Sequence, residues 1–118
     1  IYISLWRVYN KRSQRVFEFK KSFCKNVAMF KNLEELVKII RSKKKDLSKK
    51  SYTNQLLNDK KLSVAKVKEE INELIEAIEE NTNTVHESAD VFYHLLVYLE
   101  INNIKVEDVM LELKKRQK

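Results

Sequence analysis

The chain has no glycine, no proline, one cysteine and one tryptophan among its 118 residues. Without glycine and proline, reversals of the backbone fall to Asn, Asp and Ser, whose short side chains bond to their own backbone or tolerate left-handed angles. A single cysteine, Cys24, excludes an internal disulfide framework and a multi-cysteine zinc site. Cys24 reads as a small semi-apolar residue. No apolar run approaches the roughly 20 residues of a membrane span, and the first residues lack a basic start followed by a signal-peptide core. The expectation is a cytoplasmic protein with no membrane or nucleic-acid partner.

What is present fits one domain: 43% hydrophobic and 35% charged residues, enough for a single modest core. The formal charge of +7 is unevenly spread. Residues 1–68 carry 19 Lys and Arg against 5 Asp and Glu, whereas residues 69–118 carry 5 against 12. The basic half is either a solvated surface or an attractor for an anionic substrate.

The aromatic and β-branched stretches "IYISLWRVY" and "QRVFEFKKSF", separated by polar "NKRS", predict a short N-terminal β-hairpin. From there on the periodicity is helical. Asn32 and Glu35 have capping-box spacing ahead of a face formed by Leu33, Leu36, Val37 and Ile40. Ser51 caps a short helix that stops around Asn58 and Asp59. A helix from Ser63 to Glu80 follows, with Val67, Ile71, Leu74 and Ile78 as its apolar stripe. After a turn at "NTNT", Thr84 to Ile101 is apolar on most sides and therefore central. Asn103 can close it in the left-handed conformation. Val106, Val109, Met110 and Leu113 mark a last amphipathic helix. Met29 and Met110 read as packing residues. The fold class expected is an all-α bundle.

At about 100° per residue, Lys66, Glu70, Glu73 and Ala77 cluster about 60° to 120° to one side of the Val67 stripe, while Glu69, Glu76 and Glu80 face solvent. On the next helix Glu87, Asp90, His94 and Tyr98 share a stripe. Two antiparallel helices joined by a short turn would bring these acids face to face. Unaided, four such carboxylates repel one another and lose hydration. A hard divalent cation removes the conflict, and Mg²⁺ characteristically takes a few carboxylates with water and phosphates. Lys66 could meet a phosphate. Plainer readings stand beside this one: Glu87 in "TVHE" closing a capping box on Thr84, Lys66 and Glu70 as an ordinary i,i+4 pair, and His94 as a hydrogen-bonded helix residue.

"SYTNQLL", "KVKEEINEL", "HESADVFYHLLVYL" and "VEDVMLELKKR" follow one another in an order and spacing that resembles phosphoribosyl-ATP pyrophosphohydrolase, the second enzyme of histidine biosynthesis. The resemblance covers residues 51–116 and, more loosely, the preceding helix, within a domain of residues 31–118. It implies the all-α nucleotide pyrophosphohydrolase fold, usually dimeric, which splits phosphoribosyl-ATP into phosphoribosyl-AMP and pyrophosphate with Mg²⁺. Carried over by position, the paired acidic motifs fall on Glu70 with Glu73 and on Glu87 with Asp90 as metal ligands. Glu69 or Glu70 would accept the proton of the attacking water, and Lys66, Tyr52 and Arg116 would bind substrate. Lys68 and Asn103 depart from the family, which commonly has a small residue and a glycine there. Neither departure removes a ligand.

"LWR" at residues 5–7 and "QRVFEF" at 14–19 are similar to phosphoribosyl-AMP cyclohydrolase, the next enzyme of the pathway and often fused ahead of the pyrophosphohydrolase. The acidic, cysteine-bearing metal motif of that family is replaced here by "KKSFCKNVAMF", so residues 1–30 read as a degenerate remnant. Other readings of the chain are a housecleaning hydrolase of free nucleoside triphosphates, a non-catalytic relic, and a basic nucleic-acid binder, the last without a recognisable motif.

Overall fold

The computed structural model describes residues 29–117, and among them five helices follow one another: α1 (Lys31–Lys45), α2 (Tyr52–Asn58), α3 (Lys60–Glu80), α4 (Thr84–Ile101) and α5 (Val106–Arg116). The hairpin expected before residue 30, Cys24 and the cyclohydrolase-like stretch lie outside the described residues. No helix among those described is long and apolar enough to cross a membrane.

Side-chain oxygens set several of the helix ends. Ser51 accepts from the Asn54 backbone N–H at 3.1 Å and starts α2 as expected. Asp59 ends α2 and, by accepting from Leu62 N–H at 3.0 Å, starts α3 three residues before the expected Ser63. The expected Asn32 cap is not formed: α1 begins at Lys31 behind Phe30, which offers no side-chain cap. Its first backbone bond runs from Glu34 N–H to Phe30 O at 3.0 Å. With glycine absent, Asn81, Asn83 and Asn103 supply the left-handed positions, at φ 55°, 48° and 57°. The first two reverse the chain between α3 and α4, and the third closes α4.

The apolar core lies between α1, α2 and α4. Ile40, Leu56, Leu96 and Val97 are buried, with Leu33, Leu36, Val37, Leu62 and Tyr93 packed against them. Asn54, also buried, donates to Lys43 O at 3.1 Å and Asp46 O at 3.0 Å, tying α2 to the end of α1. α4 meets α1, α2 and α3, the central place expected of it.

The α3–α4 pairing is the most extensive in the fold, and its composition corrects the sequence reading. The buried residues of α3 are Ser63, Glu70 and Ala77, seven apart and so on one line of the helix. Of the expected stripe Val67 and Leu74 are half-buried, but its isoleucines are open among the described residues, Ile71 at 42% and Ile78 at 61% exposed. Small side chains let the two helices approach, and the acidic line, not the apolar one, is what α4 covers. Met29 and Met110 are likewise half exposed among the described residues.

Candidate active site

The seam between α3 and α4 gathers carboxylates where a core would gather methyl groups. One carboxylate oxygen from each of Glu70, Glu73 and Glu87 lies within 4.8 Å of the others. A second group, the His86 ring nitrogen with oxygens of Glu87 and Asp90, meets the same limit and shares Glu87 with the first. Glu70 is only 7% exposed. Its Oε2, like Oε2 of Glu87, is closed to water and has no hydrogen-bond partner among the described residues. Burial first, and then the charge of Glu73, push the Glu70 carboxyl up to about 7. Glu87 moves in the same direction, again through burial first and then Glu73 and Asp90.

Helix ends explain how Glu87 comes to be there. α4 begins at Thr84 behind Asn83, a left-handed residue that makes no side-chain cap, so Thr84 is already helical and no capping box forms. Glu87, one turn in, faces α3 instead. The helix N-terminus favours its negative charge, but it leaves the facing charges of Glu70 and Glu73 unbalanced.

Around the acids stand the remaining residues expected to contact substrate. Lys66 pairs with Glu69 at 3.1 Å rather than with Glu70, one turn N-terminal to the cluster. Tyr52 lies within electrostatic range of Lys66, Glu70 and Glu69, and partial burial raises its hydroxyl above the usual tyrosine value. That hydroxyl is fixed by His94, which is buried. The His94 Nδ1 sits 2.8 Å from the Asp90 carbonyl, an acceptor, so Nδ1 carries the hydrogen and Nε2 accepts from the Tyr52 hydroxyl at 3.0 Å. Tyr93 closes the arrangement by stacking on Tyr52 and meeting His94 edge-on. The helix-residue reading of His94 is the one the structure supports. Arg116 is not drawn into the cluster by this chain: it lies exposed on α5, bonded to Glu112 at 3.0 Å. His86 was missed from the sequence, although its spacing of four to Asp90 places both on one helical face.

The donor set is all oxygen at its buried end, with two oxygens unpartnered and a carboxyl held near neutrality for want of a countercharge. That is the chemistry a hard divalent cation satisfies, and the residues fit one.

Comparison with known proteins bears on the same elements. The description of the phosphoribosyl-ATP pyrophosphohydrolase family matches residues 33–117, spanning all but the first two residues of the five helices. A phosphoribosyl-ATP pyrophosphatase of Bacillus mycoides is 43% identical over 89 residues, covering 71% of this chain and 81% of that protein. One from Haloarcula marismortui is 38% identical over 90 residues, 72% of this chain and 92% of that protein. The chloroplastic histidine biosynthesis bifunctional protein of Arabidopsis thaliana is 42% identical over 71 residues, but these make up only 25% of its length. A family match across the helices that build the acidic seam, joined to two relatives of which the chain covers 81% and 92%, places this chain in the phosphoribosyl-ATP pyrophosphohydrolase family.

Proposed function

We propose that the acidic seam is a Mg²⁺ site at which this chain performs its family's reaction. The chain is a phosphoribosyl-ATP pyrophosphohydrolase: it hydrolyses phosphoribosyl-ATP to phosphoribosyl-AMP and pyrophosphate, the second step of histidine biosynthesis, in the cytoplasm. Convergence of Glu70, Glu73 and Glu87, with two carboxylate oxygens closed to water and unpartnered, is the observation that carries this reading. Glu70, Glu73, Glu87 and Asp90 would hold the ion, which when bound supplies Lewis acidity to the phosphoryl oxygens and offsets their charge. Glu70, at the buried end of the cluster, takes the proton of the attacking water. Glu69 holds Lys66, whose ammonium neutralises phosphate. Tyr52, steadied by His94, orients the substrate at the rim. Arg116 is assigned a peripheral phosphate contact. Water adds to the α-phosphorus, the bond to the bridging oxygen breaks, and pyrophosphate departs.

A homodimer belongs to the same proposal. Ile71, Ile75 and Ile78 on α3 and Val85, Phe92 and Leu95 on α4 form two apolar stripes at helical spacing, every one of them at least 41% exposed. Faces of this kind mark an interface. Residues 1–30 we read as a cyclohydrolase remnant without that activity. The test is pyrophosphate release from phosphoribosyl-ATP with Mg²⁺ and with EDTA. Release that requires Mg²⁺ and favours phosphoribosyl-ATP over ATP supports the reading. Release indifferent to EDTA refutes the metal site, and a preference for free ATP makes the chain a general triphosphate hydrolase.

A further inference from the structure

Tyr52 stands beside the acidic seam 45% exposed, yet it is held in the manner of a core side chain. Its hydroxyl donates to Nε2 of buried His94 at 3.0 Å, and the His94 ring is itself tied to the Asp90 carbonyl at 2.8 Å. Tyr93 lies nearly parallel to Tyr52, at 22° with ring centroids 6.3 Å apart, and meets His94 edge-on at 5.0 Å. Tyr93 is pinned in turn by the hydrogen bond between its hydroxyl and Oγ1 of Thr53, which is buried. An exposed aromatic side chain ordinarily keeps rotamer freedom that a ligand must freeze. This one has little left to lose.

The same hydrogen bond limits what Tyr52 can offer. A phenolic oxygen carries one hydrogen, and here it is given to His94. None remains for a phosphate oxygen, and the lone pairs would repel one. What Tyr52 presents to a ligand is therefore its ring, within electrostatic range of Lys66, Glu70 and Glu69.

We propose that the Tyr52 ring is the seat of the substrate's purine, which stacks on it while the triphosphate reaches the carboxylates. The inference rests on the reading above that the seam takes a nucleoside triphosphate with its Mg²⁺. A purine is the flat, weakly polar part of such a substrate, and stacking on an aromatic ring asks for no hydrogen-bond donor from the protein. Tyr52 thereby selects the base, and Lys66 and the acids with their cation select the phosphates.

The test is calorimetric titration of the 118-residue chain, with Mg²⁺ present, by two probes: α,β-methylene-ATP, which cannot be split at the α–β linkage, and tripolyphosphate, which has no base. The proteins compared are the wild type, Tyr52→Phe and Tyr52→Leu. Both variants lose the hydroxyl, so the difference between them isolates the ring. Tripolyphosphate reports whether each keeps its phosphate site. The wild type and Tyr52→Phe should prefer the nucleotide by about tenfold or more, the two agreeing within about threefold, and Tyr52→Leu should lose most of that preference. Tripolyphosphate affinity should agree within about twofold in all three. A wild type without the preference, a leucine variant that keeps it, or a phenylalanine variant that loses as much as leucine would overturn the inference and leave the phosphate site standing. Equal weakening of both probes in Tyr52→Leu would make the ring a support of the acids and overturn it as well. Failure of the wild type to bind tripolyphosphate would remove the site reading itself, and this inference with it.

Discussion

The two ends of α4 treat carboxylates in opposite ways. At its C-terminal end Glu100 faces Arg41 at 3.6 Å and Lys44 at 3.7 Å, and Glu107 on α5 accepts twice from the Arg41 guanidinium. Lys44 also donates to Glu100 O and to Asn103 Oδ1, each at 2.7 Å, where the helix dipole favours a cation. Every acid there has its base, and the Arg41 hydrogen bonds hold the Glu107 carboxyl at about 2. At the N-terminal end no lysine or arginine among the described residues pairs with Glu70, Glu73 or Glu87, Lys66 being paired with Glu69, and Glu70 is driven up to about 7. One end is a closed ionic joint that fixes α1, α4 and α5. The other is a charge deficit that the fold maintains without relieving, which is the condition the proposed Mg²⁺ site requires.

The contrast breaks most visibly in activity. Glu73→Gln or Asp90→Asn, which remove charge but not volume, should lower pyrophosphate release by about a hundredfold or more while the helical circular dichroism is unchanged. Unchanged turnover would deny these acids their role. The pH dependence of stability sharpens the comparison next. Glu70 is raised in the folded state, so the folded chain binds more protons than the unfolded one between about 4.5 and about 7. Metal-free protein therefore loses stability as pH rises through that window, by up to about 3 kcal/mol from this group. Saturating Mg²⁺ at pH 8 should restore it, and thermal melts with and without EDTA at pH 5 and pH 8 measure both effects.

A smaller effect is expected at the rim. Tyr52→Phe strips the buried His94 Nε2 of its donor and should cost about 1 to 2 kcal/mol in denaturant unfolding, together with a raised KM. Smallest of all, Glu107→Gln at the exposed joint should shift the melting temperature at pH 7 by less than about 2 °C. The Glu107 carboxyl is depressed, so its contribution is present above about 4.5 and fades as pH falls toward about 2. The variant and the wild type should melt together at that acid limit.

The site was more legible in the sequence than the packing around it. Pairs of acids three apart on two helices joined by a short turn leave little freedom of angle, so periodicity could bring Glu70, Glu73 and Glu87 together, whereas Asp90 joins only Glu87, in a second group with His86. Ser51 was readable because its own oxygen makes the cap. Phe30 was not, because it makes no side-chain cap, and Asp59 misled by serving two helices at once. The isoleucine stripe of α3 was misjudged for a deeper reason. Periodicity tells which face is to be covered and is silent on what covers it. Ile71, Ile75 and Ile78 stay exposed among the described residues, while the seam runs through Ser63, Glu70 and Ala77. Arg116 depends on how α5 docks, which no local pattern encodes.

The central claim is that the seam is a proton-holding site which a cation empties. Calorimetric titration of Mg²⁺ into the metal-free chain at pH 6.5, repeated in buffers of different ionisation enthalpy, counts the protons displaced. The account predicts binding with release of about one proton per ion, a release abolished in Glu70→Gln. Binding with no proton release, or an equal release from Glu70→Gln, would contradict it.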